Sequence, residues 1–198
     1  MLIFAIFYNS ISEVLLSDPE KQESVKSNFY RAWYGYKKCA FGYDFLRPKS
    51  CNGSNWLNAS LTLIDSLDSL WIMGFHDDFD EAVSYLENNF LKNISASGSI
   101  FEMIIRVTGG LLSAYQLSGR KSLLKIAHNF TERLLPAFET KTGLPLPNYE
   151  MPWNISSSWA WAPRSTFLAH VGTLSPELMT LSQETGDIRF KKDRKSVV

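Results

Sequence analysis

Four ionisable side chains stand in the greasiest stretches of this 198-residue chain, at the spacing of helix neighbours. Glu102 and Arg106 lie four apart in Ser99-Ile-Phe-Glu-Met-Ile-Ile-Arg-Val-Thr-Gly-Gly-Leu-Leu-Ser-Ala-Tyr-Gln-Leu-Ser118. Asp65 and Asp68 lie three apart in Leu61-Thr-Leu-Ile-Asp-Ser-Leu-Asp-Ser-Leu-Trp-Ile-Met-Gly74. A carboxylate among Leu, Ile, Phe and Trp is costly unless it is hydrogen-bonded, paired, protonated or put to use. For Glu102 and Arg106 the plain alternative is an i,i+4 ion pair on a helix face. Gly109-Gly110 argues for more. A mid-helix glycine costs about 1 kcal/mol against alanine, so two together indicate close backbone packing or a nearby ligand. Asp65 and Asp68 either brace neighbouring loops or touch a ligand directly.

Helices must hold these groups. Ser17-Asp-Pro-Glu20 is a helix start, and Val25, Phe29, Ala32, Trp33 and Tyr36 carry one apolar face to about Ala40. Residues 42–58 read as an irregular connection. A second, apolar helix runs to the C-cap Gly74. Residues 77–91 form an amphipathic helix with Phe79, Ala82, Val83, Leu86 and Phe90 inward. The Glu102 helix follows, apolar on most sides and expected to be deeply buried. Residues 120–135 are amphipathic again and are closed by Pro136. Residues 143–158 form a loop rich in proline and asparagine. Trp153, Trp159 and Trp161 cluster in and after it, suited to sugar stacking or to plain packing. Residues 165–185 make a sixth helix, interrupted by Pro176. Nearly all-apolar helices thus alternate with amphipathic ones, which predicts an all-α toroid of helical hairpins with inner and outer layers. Three pairs do not close such a ring, so the chain is expected to be part of a larger body.

Bulk properties narrow the function. With 45% hydrophobic and 14% aromatic residues, disorder is excluded for most of the chain. Zero net charge without a basic stripe argues against nucleic acid or an anionic membrane as the main partner. Cys39 and Cys51 form no CxxC pair, and His76, His128 and His170 are scattered, so no zinc signature exists. The two cysteines either form a disulfide or remain free thiols. N-glycosylation triplets at Asn52, Asn58, Asn93, Asn129 and Asn154 favour the secretory pathway. Met1–Phe7 is too short to span a bilayer and lacks the basic flank of a signal peptide, so targeting is expected upstream or the N-terminus is not the natural one.

The motifs together resemble a known family. Arg31-Ala-Trp-Tyr-Gly-Tyr-Lys-Lys38, Leu46-Arg-Pro48, the two acidic helices, Leu134-Leu-Pro-Ala-Phe138, Thr142-Gly-Leu-Pro145 and Leu181-Ser-Gln-Glu-Thr-Gly-Asp187 occur in the order found in class I α-1,2-mannosidases, glycoside hydrolase family 47. The resemblance covers the N-terminal part of such a domain. It implies a non-family segment at 1–20, a partial (α/α)7 barrel over 21–190 with about three of seven pairs, and a basic tail at 191–198 outside the match. It also implies calcium-dependent, inverting removal of terminal α-1,2-mannose from high-mannose N-glycans in the endoplasmic reticulum or Golgi. Full-length members are often membrane-anchored.

By resemblance Glu102 is the general acid and Arg106 a mannose-binding arginine; Asp65, Asp68 and Trp161 are candidate substrate contacts from their own settings, with loop bracing or plain packing as the alternative. An apolar setting favours the protonated form of Glu102, whereas the Arg106 cation favours the ionised one. The other catalytic carboxylates and the calcium ligand are expected beyond Val198, leaving no metal ligand here. The chain departs from the family at His170, where processing members carry a glutamate, and at Tyr34, Arg31 and Pro176. Two alternatives follow. One is a non-catalytic glycan-binding relative acting in degradation of misfolded glycoproteins, which Leu46-Arg-Pro48 with Cys51-Asn-Gly53 resembles. The other is an inactive piece whose uncovered apolar faces invite aggregation.

Overall fold

The computed structural model describes residues 18–192, so Met1–Phe7 and most of the basic tail lie outside the described residues. Helix α1, Pro19–Ala40, starts as its sequence predicts: the Asp18 carboxylate accepts from the backbone N–H of Glu20 and Lys21 at 3.1 and 3.3 Å, and Pro19 fills the first turn. Trp33, Tyr36 and Ala40 form its buried edge.

Residues 42–58 are more ordered than an irregular connection. Strands β1, Phe45–Arg47, and β2, Asn52–Ser54, form an antiparallel hairpin, with Phe45 opposite Ser54. A Cys39–Cys51 disulfide ties this hairpin to the end of α1. Gly53 lies directly against the Tyr43 ring, a position no side chain could share.

The second predicted helix is two pieces, α2 (Leu61–Asp65) and α3 (Leu67–Ile72). They part at Ser66, where the Ser66 hydroxyl donates to the Thr62 carbonyl at 2.6 Å. Helix α4, His76–Tyr85, continues through a π-helical turn, Leu86–Phe90, into α5, Leu91–Asn93. The Glu102 helix is continuous from Ile100 to Ser118 but has three parts. These are α6 (Ile100–Glu102), a π-helical stretch (Met103–Thr108) and α7 (Gly109–Ser118). Helix α8, Lys121–Glu132, follows, with a 3-10 turn at Leu135–Phe138.

The 143–158 loop contains a small sheet. Strands β3 (Ser97–Ser99), β4 (Asn148–Glu150) and β5 (Ile155–Ser157) pair antiparallel in that order, so the loop is anchored to the start of the Glu102 helix. The sixth predicted helix is also two, α9 (Leu168–Gly172) and α10 (Ser175–Thr185). Pro176 sits in the first turn of α10, where its missing N–H is harmless; it starts a helix rather than interrupting one. Helix α11, Arg189–Lys192, closes the described chain.

The Glu102 helix packs against α2, α3, α8 and α10. Ile104, Val107, Leu111 and Ala114 are fully buried in one core cluster with Leu63, Ile64, Leu67, Leu70, Leu123, Ala127, Phe130, Leu178 and Leu181. Each large aliphatic side chain taken from water stabilises the fold by about 1.5–3 kcal/mol. The paired glycines serve this packing: a Cβ on Gly110 would lie 2.8 Å from Ile64 Cγ2 and 3.4 Å from the Ile64 carbonyl oxygen. Among the described residues no helix is long and apolar enough to cross a membrane.

Candidate active site

The Glu102 helix buries one face and leaves another open. Ser99 caps its start, its hydroxyl accepting from the Glu102 N–H at 3.3 Å. Beyond Glu102 the backbone widens into the π-helical stretch, a feature often found at working sites. Glu102 and Arg106 both fall on the side away from Ile104 and Val107. Their side chains are 29% and 24% exposed, not deeply buried as the apolar run suggests. The surrounding aliphatic residues point into the core and leave the charged pair at its edge.

Arg106 is not primarily the partner of Glu102. Its Nε donates to Asp65 Oδ2 at 3.0 Å, and its Nη2 donates to the same oxygen. The nearest Glu102 oxygen is 3.8 Å from Arg106 Nη1. The i,i+4 pair is therefore loose and the cross-helix pair is tight. Asp65 is 34% exposed, so this pair is worth no more than about 1 kcal/mol to the fold. Among the described residues no group donates a hydrogen bond to the Glu102 carboxylate. Asp65 also keeps an unpaired oxygen, Oδ1, among the described residues, but Glu102 is the carboxylate of the trio that receives no hydrogen bond at all.

Asp68 has a different role in the geometry. Its Oδ2 accepts from the Ser113 hydroxyl at 3.0 Å and its Oδ1 from Ser69 at 3.2 Å, so it braces α3 against α7. Ser113 lies seven residues beyond Arg106, on the same face of the helix.

Two acids were invisible as site residues in the sequence. Asp44 is completely buried, and its carboxylate accepts four backbone N–H groups, from Trp56, Asn58, Ala59 and Leu61, at 2.7 to 3.1 Å. Those bonds shape the turn that launches α2 and so place Asp65. The signal available was an aspartate flanked by Tyr43 and Phe45 in a supposed loop. Glu177, in the first turn of α10, is the second. Its Cγ lies 3.3 Å from where a Cβ on Gly109 would be, and its Oε2 is shielded from solvent with no partner among the described residues. Gly109 thus lets a further carboxylate approach the helix three residues beyond Arg106.

Trp161 is 71% exposed and stacks on Trp159 at 5.4 Å and 16°. Phe167 and His170 complete the cluster, and the His170 ring stacks on Phe101 at 4.9 Å and 10°. The aromatic run therefore reaches the helix one residue before Glu102. Trp153, expected with these indoles, makes no ring contact among the described residues. Arg31 and Tyr34 are exposed on α1. A divalent ion has no evident holder, since among the described residues no three His, Cys, Asp or Glu side chains come together to bind one.

The family model of Glycosyl hydrolase family 47 matches residues 28–198, whereas the motifs legible by eye stop near 190. The chain is 40% identical over 175 residues to the endoplasmic reticulum mannosyl-oligosaccharide 1,2-alpha-mannosidase of Rattus norvegicus, a match covering 87% of this chain and 26% of that protein. It is 39% identical over 183 residues to ER degradation-enhancing alpha-mannosidase-like protein 2 of Mus musculus, covering 86% and 31%. The structure of alpha-1,2-mannosidase from Trichoderma reesei superposes with a TM-score of 0.79 at 28% identity, over 91% of this chain and 40% of that one. This likeness bears out the α/α toroid, of which the chain forms part. The chain spans about a quarter to a third of the length of these curated relatives.

Proposed function

This chain belongs to glycosyl hydrolase family 47, and we propose that it carries the proton-donating side of an inverting α-1,2-mannosidase site acting on high-mannose N-glycans. The observation that supports this most is the division of labour in the trio. Asp65 takes up the Arg106 guanidinium, and Glu102 stays beside it on an open face with no donor of its own.

In inverting hydrolysis one carboxylic acid protonates the leaving oxygen while a second carboxylate activates water from the opposite side of the sugar, roughly 6.5–9.5 Å away. Glu102 is the acid in this reading. Arg106, oriented by Asp65, donates to sugar hydroxyls or to the glycosidic oxygen's neighbours and fixes the scissile bond over Glu102. Asp68 holds α3 and α7 in register through Ser113. The exposed indole of Trp161 stacks against an outer sugar of the glycan. Only the acid is assigned, and no base is placed among the described residues. Calcium is the cofactor the resemblance implies; no described residue is assigned to hold it, and the roles given to Glu102 and Arg106 are derived without it. The compartment is the secretory pathway, endoplasmic reticulum or Golgi. The exposed Asn52, Asn58 and Asn154 triplets support this, as does the Cys39–Cys51 disulfide, which an oxidising lumen sustains.

The second reading is a lectin-like relative in disposal of misfolded glycoproteins. It is favoured by the 39% identity to the degradation-enhancing protein and by His170 in place of a carboxylate near Phe101. Incubation of the full protein with a high-mannose glycan, followed by mass spectrometry and anomeric NMR, separates the two. Release of β-mannose that stops in Glu102→Gln supports the enzyme; glycan retention without release supports the lectin. Undiminished release by Glu102→Gln rules out Glu102 as the acid.

A further inference from the structure

The π-helical stretch that carries Arg106 needs something to hold it open. Helices favour the tighter α turn, and a wider one persists only where its surroundings select it. Here the Gly109 N–H reaches the Ile104 carbonyl, five residues back, at the end of Met103–Thr108. The last residue of that stretch is Thr108, and its hydroxyl lies 2.8 Å from that of Thr131 on α8. Both threonines are sealed in the core, at 0% and 1% exposure, so further chain packed on the outside changes nothing about them.

Proton counting gives this pair a direction. The Thr131 hydroxyl donates to the Ala127 carbonyl at 2.7 Å. A hydroxyl has one proton, so Thr131 is committed and Thr108 is the donor of the shared bond. A mid-helix threonine ordinarily turns its hydroxyl back to the carbonyl four residues earlier, which for Thr108 is Ile104. With the Thr108 proton drawn across to α8, the Ile104 carbonyl is left to the Gly109 N–H, the bond that makes the turn wide. Stability does not require the hydroxyls, because two valines have the same shape and strand no polar group. What the hydrogen bond adds to apolar contact is a single register.

We propose that Thr108 and Thr131 are positioning residues that lock the Glu102 helix in its π register and so aim Arg106 at Asp65, beside Glu102. Return of the stretch to α geometry turns the segments before and after it by about 100° relative to each other, the angle of one α-helical residue. Helix α7 cannot follow, since Leu111 and Ala114 are fully buried and Gly110 lies against Ile64. The Arg106 Nε bond to Asp65 Oδ2, at 3.0 Å, is then lost. The catalytic consequence rests on the mannosidase reading; the aim of Arg106 does not.

The test follows two readouts in the full protein: kcat and KM for mannose release from a high-mannose glycan, and the Arg106 Nε–H signal in NMR. Thr108→Val/Thr131→Val should melt within about 2 °C of wild type, since no buried hydroxyl is stranded. It should nevertheless lower kcat about tenfold or more and shift the Arg106 signal. Thr108→Ser keeps the donor and should hold both readouts near wild type. Thr131→Ala removes the acceptor without adding bulk and should shift the Arg106 signal as the valine pair does, which covers a valine pair that fails to fold. An unmoved Arg106 signal in the folded valine pair or in Thr131→Ala overturns the positioning role. So does an undiminished kcat in those variants where the wild type releases mannose. A wild type that releases none, with an Arg106 signal that still moves in the variants, overturns the mannosidase reading and leaves the positioning role standing.

Discussion

Asp44 and Glu102 are two acids in apolar surroundings, and the fold treats them in opposite ways. Asp44 is sealed from solvent, and its two oxygens receive four backbone N–H groups. Nothing of its hydrogen-bonding capacity is left for a ligand. Glu102 sits on an open edge, receives no hydrogen bond from the described residues, and has its nearest cation 3.8 Å away and engaged elsewhere. Saturation marks a carboxylate that builds the structure; spare acceptor capacity beside an oriented cation marks one that can do chemistry. Asp65 stands between them, spending itself on aiming Arg106.

The sharpest way to break the comparison is Asp44→Ala. It strands four buried donors and should cost about 3–5 kcal/mol in denaturant unfolding, at or beyond the limit for folding. Next is Gly110→Ala, which drives a methyl group into Ile64 and should cost about 1–3 kcal/mol by the same measurement. Arg106→Ala should cost under about 1 kcal/mol, because its pair with Asp65 is partly exposed. It should nevertheless weaken glycan binding at least about tenfold by calorimetry, if the pair exists for aiming rather than for stability.

Asp187 sharpens the comparison as an intermediate case. Side-chain hydrogen bonds from Arg189 hold its carboxyl well below the usual carboxylate range, with a further bond from His128 at 3.0 Å. Its depressed folded value means that the stabilisation is complete above the unfolded carboxylate pKa of about 4 and is lost as pH falls below it. Thermal melts should therefore show a steeper acid decline in wild type than in Asp187→Asn, which starts lower at pH 6. Glu102→Gln should have the smallest effect on folding, within about 0.5 kcal/mol, while abolishing mannose release. A large stability loss there would erase the distinction drawn between Glu102 and Asp44.

The helical segments and their order were legible in the sequence, although the second and sixth each divide in two, because burial of an apolar stripe imposes a period that any reader of residues can count. The Asp18 cap and Gly110's close packing were legible for the same local reasons. The strands at 45–54 and 148–157 were not, since three-residue strands carry no measurable period and depend on partners distant in the chain or on a disulfide. Pro176 was misjudged because a proline forbids continuation but does not say whether a helix ends or begins there.

The sequence alone determined which residues are acidic, which segments are helical and that Glu102 and Arg106 share a face. Only the tertiary structure decided that Arg106 belongs to Asp65, that Asp68 braces Ser113, and that Asp44 is saturated while Glu102 is free. Hydrogen bonds across forty residues of chain depend on how helices pack, and no count along a single strand of residues encodes that distance.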